Sequence, residues 1–317
     1  MQTVRNRILL AKEESVYGSD SAPDVATNAL EIKNVKLNWQ ADVLERDNVR
    51  SCISPTSPVV GRRWVEVTFE MELKGSGTRG TAGRIGDLIE ACSYAETSGS
   101  TGGSSSVTYK PCSTGQKSIT LYVYDNDTTG SSVLHKITGA MGNFNIKLTA
   151  GQYGLLSFTL KGNYNSPADV DIPATPTYEA TIPPIVESCA FELNNSDDLI
   201  VQELTLDNGN DIVARDDINS PNGILGYIIP NRKGKGSFNP EATMIGTYDF
   251  WTDWVGSAQR ALTATLGTSD GNKVIITAPK VTLDSIADGD RERILTRDIP
   301  FSLGQDTGDD ELVLVFE

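Results

Sequence analysis

The reactive side chains of this sequence are scattered. One histidine, His135 in "VLHKITG", serves all 317 residues. An imidazole without a second ligand or a nucleophile partner supports neither a zinc site nor a catalytic triad, so His135 reads as structural. "DNDTTG" (125–130) opens like a calcium loop, but the twelfth position of that loop is Lys136 where a bidentate glutamate belongs. A hairpin turn is the expectation. "NRKGKGS" (231–237) lacks the spacing of a phosphate-binding loop and reads as a turn between strands. In "DSIADGDRER" the arginines Arg291 and Arg293 sit among Asp284, Asp288 and Asp290, for which a solvated loop suffices. Cys52, Cys92, Cys112 and Cys189 form no C-x-x-C pair, so buried reduced thiols are expected. No catalytic residue, metal ligand or cofactor is indicated, and the expectation is a protein that is not an enzyme.

The bulk numbers constrain partners. A net charge of −15 disfavours a surface that holds nucleic acid by its phosphates. It leaves open a surface that nucleic acid passes, and also the plain alternative that acidity serves solubility. No apolar run approaches the roughly 20 residues of a membrane span, and residues 8–11 are too few for a signal-peptide core. Synthesis in a cytoplasm follows as the expectation. The length favours two domains over one.

The elements that would position these residues are mostly strands. In "WVEVTFEMEL", Val65, Val67, Phe69, Met71 and Leu73 take one face, and Trp64, Glu66, Thr68, Glu70 and Glu72 the other. "SITLYVYD", "NFNIKL" and "LLSFTLKG" alternate more briefly. "GRIGDLIEACSYA" sets Ile85, Leu88, Ile89 and Cys92 at helical spacing, and "TSGSTGGSSS" (97–106) reads as a flexible loop. Five prolines between residues 165 and 184 mark a linker. Beyond it a strand pair at 199–218 leads to a second helical stretch, "TYDFWTDWVGSAQ". There Phe250, Trp251, Trp254 and Val255 share a side, with core packing expected of the tryptophans.

One stretch occurs twice. "LEIKNVKLNWQADVLERDNV" (30–49) aligns without a gap to "LIVQELTLDNGNDIVARDDI" (199–218), with Leu30/Leu199, Leu37/Leu206, Asp42/Asp211, Arg46/Arg215 and Asp47/Asp216 identical. Both copies break alternation at the same place, Ile32 to Val35 and Val201 to Leu204, which a shared β-bulge would explain. The order of elements also repeats, so an internal duplication governs the fold expected: residues 1–28 as an extended arm, 29–164 and 185–317 as two copies of one domain, and 165–184 as the linker.

The first half resembles the tail tube (major tail) proteins of long, non-contractile-tailed bacteriophages. "RILLAKEESVYGSD", "VLERDNVRS", "VGRRWVEVTFEMELKGSG", "LIEACSYAET" with "VTYKP", and "LHKITGAMGNFNIKLTAGQYGLLSFTLKGNY" carry the resemblance in order over residues 5–164. It implies two tandem β-sandwich or barrel domains, each with one flanking helix, lending strands to a ring-shaped lumen. It also implies a virion tail protein whose stacked rings pass DNA to the host without specific binding. Tail terminator, tape measure and baseplate proteins would be partners, and no membrane is involved. With two domains per chain, three chains would close a pseudo-sixfold ring.

Within that frame Glu66, Glu70 and Glu72 are expected to line an acidic lumen, the alternative being the solvated outside of the tube. Arg46, Asp47, Arg215 and Asp216 are expected at the junctions around the ring. Ser54, Pro55, Thr56, Ser57 and Pro58, in a long hairpin loop (51–61), are expected at the contact between rings, and the arm is expected to extend onto a neighbour. A non-polymerising baseplate or terminator component of the same fold is one alternative. A carbohydrate-binding β-sandwich module, with Trp251 and Trp254 exposed in a groove, is the other.

Overall fold

A computed structural model describes residues 2–317 apart from 102, 103, 129, 174, 188, 197 and 198. The first half contains β1 (Gln2–Glu13), β2 (Ala29–Leu30), β3 (Lys33–Arg46), β4 (Thr56–Glu72), helix α1 (Gly86–Glu90), β5 (Tyr94–Thr101) and β6 (Ser104–Pro111). It continues with β7 (Ile119–Asp127), β8 (Ser131–Thr149), β9 (Leu155–Tyr164) and β10 (Ala168–Asp171). The second half contains β11 (Ala190–Leu193), β12 (Val201–Asp207), β13 (Asn210–Asp216), β14 (Ile224–Arg232), β15 (Lys235–Pro240) and helix α2 (Phe250–Val255). It ends with β16 (Arg260–Leu266), β17 (Val274–Leu283), β18 (Ala287–Arg291), β19 (Ile294–Gly304) and β20 (Val313–Phe316). The chain is mainly β, built from antiparallel ladders.

Strand pairing follows one order in both halves. Neighbours run β3-β4-β9-β8-β7-β1 in the first. They run β12-β15-β19-β17-β16-β11 in the second. A short helix follows the second strand of each series. The bulge expected in both copies is present: the β3–β4 register slips between Lys33 and Lys36, and the β12–β15 register between Val201 and Leu204. Asn34 takes the left-handed conformation, φ 54°, at the first of these, a conformation that asparagine tolerates better than most residues.

The repeated stretches nevertheless differ in path. Residues 33–46 make one continuous strand, whereas 201–216 is bent into two strands that do not pair with each other. The expected strand pair at 199–218 is therefore absent. The cause lies at Gly209, where φ is +69° and a Cβ would stand 2.0 Å from the Lys233 carbonyl oxygen. Only glycine fits there, and Gln40 holds the equivalent place in the straight copy. The Asp207 carboxylate fixes the bend by accepting from the Gly209 amide at 2.9 Å.

The apolar core is continuous. Phe69, Phe144 and Phe158 from the first half and Phe238, Leu262 and Phe301 from the second belong to one buried cluster. Direct pairing of β12 with β8, and of β20 with β6, merges the two sets of strands. The proline-rich segment does not hang free between them. β10 pairs with β8, and the Glu179 carboxylate accepts from the Arg84 amide at 2.9 Å. Of residues 97–106, expected as a loop, 97–101 and 104–106 belong instead to the β5–β6 hairpin, where Thr97 stands opposite Thr108 and Ser100 opposite Ser105, and 102 and 103 lie outside the described residues.

Residues 2–13 also depart from expectation. They are a sheet strand, β1, paired with β7 and β2, and Leu9, Leu10 and Ala11 are buried. The next turn is pinned by Glu14, a buried carboxylate that accepts from the Gly18 and Gly139 amides and from the Ser118 and Thr120 hydroxyls at 2.6–2.8 Å. The unbroken apolar run at residues 8–11 suits a strand covered on both faces, and the core has a place for it. Deleting residues 1–28 should therefore abolish folding rather than release rings. Glu14→Ala, which strands those donors, should cost roughly 2–4 kcal/mol by chemical denaturation.

Helix α1 buries Leu88, Ile89 and Glu90, and holds Asp87 partly buried beside them. Burial pushes the Asp87 carboxyl up to about 6, with Glu90, Glu13 and Glu96 adding repulsion against the partial relief from the Glu13 amide. A carboxyl raised in the folded state stabilises most below its unfolded value, near 3.8, and that contribution is lost as pH rises through 6. Asp87→Asn should raise stability at pH 7 by about 2–3 kcal/mol and flatten the pH 4–6 dependence, as read from thermal denaturation.

Candidate functional site: a polar sheet face with open edges

Each half presents a four-stranded sheet, β3-β4-β9-β8 and β12-β15-β19 with β18, and the two are joined by β8 pairing with β12. Glu203 stands opposite Thr149, Thr205 opposite Lys147, and Asp207 opposite Asn145. The face toward the core carries Val65, Val67, Phe69, Leu204 and Leu206. The opposite face, by alternation along each strand, is polar across the joined sheet.

Glu66, Glu70 and Glu72 lie on this polar face. Glu66 is flanked by Asn38 and Lys161 on the neighbouring strands, and Glu70 accepts from the Asn34 amide group at 2.8 Å. Glu72 pairs with Lys33 at 2.8 Å. Lys147 pairs with Glu203 at 2.9 Å across the β8–β12 seam. The face is thus mixed in sign rather than uniformly acidic, because lysines on adjacent strands answer its carboxylates.

The two repeated Arg-Asp pairs do not occupy equivalent surroundings. Arg46 and Asp47 sit near the exposed end of the β3–β4 hairpin. Asp216 instead receives Arg62 of β4, whose guanidinium reaches Asp216 at 2.6 Å and Asp42 at 2.6 Å, tying the two hairpins together. Arg215, beside it on β13, is exposed. Ser54 and Pro55 lie in the exposed loop of the first hairpin, while Thr56, Ser57 and Pro58 already belong to β4.

The sequence reading missed how the second hairpin is seated. β13 and β14 pair only with each other among the described residues and fold across β8 and β9. Ile224, Tyr227 and Ile229 are buried there with Met141, and Trp64 and Ile212 pack against them. The Tyr17 hydroxyl accepts from the Tyr227 amide at 2.6 Å and donates to the Gly139 carbonyl at 2.9 Å. Gln116 completes the seat, donating to the Ile229 carbonyl and accepting from its amide. Apolar residues at both 227 and 229 were the available signal. Burial holds the Tyr17 phenol up to about 12, so it stays protonated at any ordinary pH.

Two tryptophans correct an expectation. Trp251 and Trp254 are 43% and 41% exposed, because α2 is only six residues long and buries Phe250 and Asp253. Asp253 is committed inward to Arg260 at 2.5 Å. The Trp254 indole donates to the Asp284 carbonyl at 3.1 Å. The His135 Nε2 is 3.3 Å from Asp125, and its ring centre is 5.1 Å from that of Trp39. No cluster of metal-ligating side chains occurs among the described residues, nor any helix long and apolar enough to cross a membrane.

The described residues thus form a mainly β protein with a broad polar face and two open sheet edges. A family model described as phage tail tube protein matches residues 4–303, and the chain belongs to that family. The match spans both halves, beyond the 5–164 over which the sequence resemblance runs, and it implies a structural component of the virion tail. No curated protein matches the chain.

Tyr17→Phe keeps the ring and removes the hydroxyl that caps the Tyr227 amide. It should cost about 1–2 kcal/mol and speed hydrogen exchange across residues 210–232 while leaving β3 and β4 unchanged.

Proposed function

We propose that the chain forms the tube of a long, non-contractile phage tail, as three-chain rings of pseudo-sixfold symmetry stacked end to end, with DNA passing through the bore. The observation that carries this reading is the β8–β12 seam. Among the described residues β3 pairs only with β4, and β18 only with β19. By strand order β3 corresponds to β12, and β18 to the end of β8. The two open edges of the chain are therefore the counterparts of the two strands already joined inside it.

Long unpaired edges are normally blunted or covered, and a head-to-tail contact that closes by rotation gives a ring. Transferring the internal register puts Asn38 of one copy opposite Ala287 of the next, as Asp207 stands opposite Asn145. Eight strands per chain then close around a bore faced by the polar side, Glu66, Glu70 and Glu72 included. The loop residues Ser54 and Pro55, the first β4 residues Thr56, Ser57 and Pro58, and the hairpin end with Arg46 and Asp47 are proposed to make contacts between copies. Tail terminator, tape measure and baseplate proteins are the further partners proposed, with assembly in the host cytoplasm.

The test pairs imaging with cross-linking in a Cys52→Ser background. Negative-stain microscopy at rising concentration should show hollow tubes, and chains carrying Asn38→Cys mixed with chains carrying Ala287→Cys should give a covalent dimer on oxidation. Discrete single-chain particles with no dimer would overturn the proposal.

A further inference from the structure

The first hairpin leaves apolar side chains in water that its counterpart buries. Val43 and Val60, opposed on β3 and β4, are 62% and 60% exposed. The repeat alignment and hairpin register match them to Ile212 and Ile229; Ile229, in the docked hairpin, is 4% exposed. Val59 and Leu44, on the other face, match Ile228 and Val213, which stay partly exposed after docking. The contrast is therefore confined to one face.

We infer that the stem of the β3–β4 hairpin is a clamp that seats on the second half of the adjoining copy of this chain, as the β13–β14 hairpin seats on the first half within it. This rests on the ring reading above and adds a second, side-chain contact to the strand junction. The receiving surface follows from the strand correspondence. Met141, beneath the docked hairpin, is matched by Thr282 of β17, and its β9 neighbour Lys161 by Ser302 of β19. Beside these lies the open C-terminal end of α2, with Val255 78% exposed and Trp254 half exposed and tied to Asp284.

At the equivalent end of α1 the opening is closed. The Asn210 amide group donates to the Cys92 carbonyl at 2.7 Å and to the Gly142 carbonyl at 2.8 Å, both contributed by the first half. Ala41 is the counterpart of Asn210, so the stem enters where α2 leaves apolar surface open. A register slip between Ala41 and Val43 lies close to the place where Gly209 bends the docked copy. Exposed valines on the stem and half-exposed Trp254 with exposed Val255 on the receiving surface are apolar patches that this arrangement covers together.

Val60→Cys chains mixed with Thr282→Cys chains, both in the Cys52→Ser background, should yield an interchain dimer with a short bismaleimide, and neither variant alone should. Val60 is exposed and Thr282 partly exposed in the single chain, and Thr282→Cys is close in size, so the thermal midpoint should move little. If Asn38→Cys and Ala287→Cys chains link while the Val60 and Thr282 pair does not, the strand junction stands and the clamp is wrong; the hairpin then serves stacking alone. If neither pair links and no particle larger than one chain appears, the clamp falls together with the ring.

Discussion

The main-chain ladder between β8 and β12 is the constraint on which the rest of this molecule depends. It is made of backbone groups, whose hydrogen bonds are obligatory once buried and indifferent to side-chain identity. It joins strands that end one four-stranded sheet and begin the other. Because the same pairing merges the sheets above a shared apolar layer, the core does not divide at the proline-rich segment. What looks like a doubled sequence is, in packing terms, a single body with a repeated strand order.

That pairing also explains why the two copies had to diverge. Inside the chain the second hairpin meets a fixed neighbour at all times, so it carries the bend at Gly209 and a full set of specific anchors, Tyr17, Gln116 and Arg62. The first hairpin meets the second through Arg62 but buries neither Val43 nor Val60 against its own chain. Its strand is straight and its valines are exposed. Under the proposed reading, duplication followed by specialisation of one junction would account for both the shared bulge and the unequal environments of the Arg-Asp pairs.

Much of the fold was legible in the sequence, for stated reasons. The alternation from Trp64 to Leu73 and the spacing of Ile85, Leu88, Ile89 and Cys92 report which side of an element meets the core; the strand formed, and all four of the latter are buried although the helix itself spans only Gly86–Glu90. The three-residue step at Ile32 and Val201 reported a bulge, since only an extra residue moves an apolar side chain to the wrong face. Partner choice was not legible. Nothing in residues 199–218 states that β12 pairs with β15 and β8 rather than with β13, because period-two patterning fixes a strand's faces and not its neighbours. The polar N-terminal residues misled in the same way: polarity at 12–28 concealed that "RILLA" completes a sheet, and that Glu14 is buried with every lone pair in use.

The mixed charge of the polar face bears on how a tube could pass DNA. Duplex DNA carries one negative charge per about 1.7 Å of axis, and a cationic wall would hold it by releasing counterions. A wall that must not hold it has two options: an excess of carboxylates, or lysines whose charge is already answered. The face takes largely the second course, since Lys33 lies on Glu72 and Lys147 on Glu203. Such pairs present little net field beyond a Debye length of about 8 Å at physiological ionic strength. They also keep adjacent strands from repelling one another, which a solid row of glutamates on paired strands would do. Under the proposed reading, therefore, the requirement to release DNA and the requirement to hold a long sheet together are met by the same lysines, and Glu66, Glu70 and Glu72 act as members of charge-balanced rows.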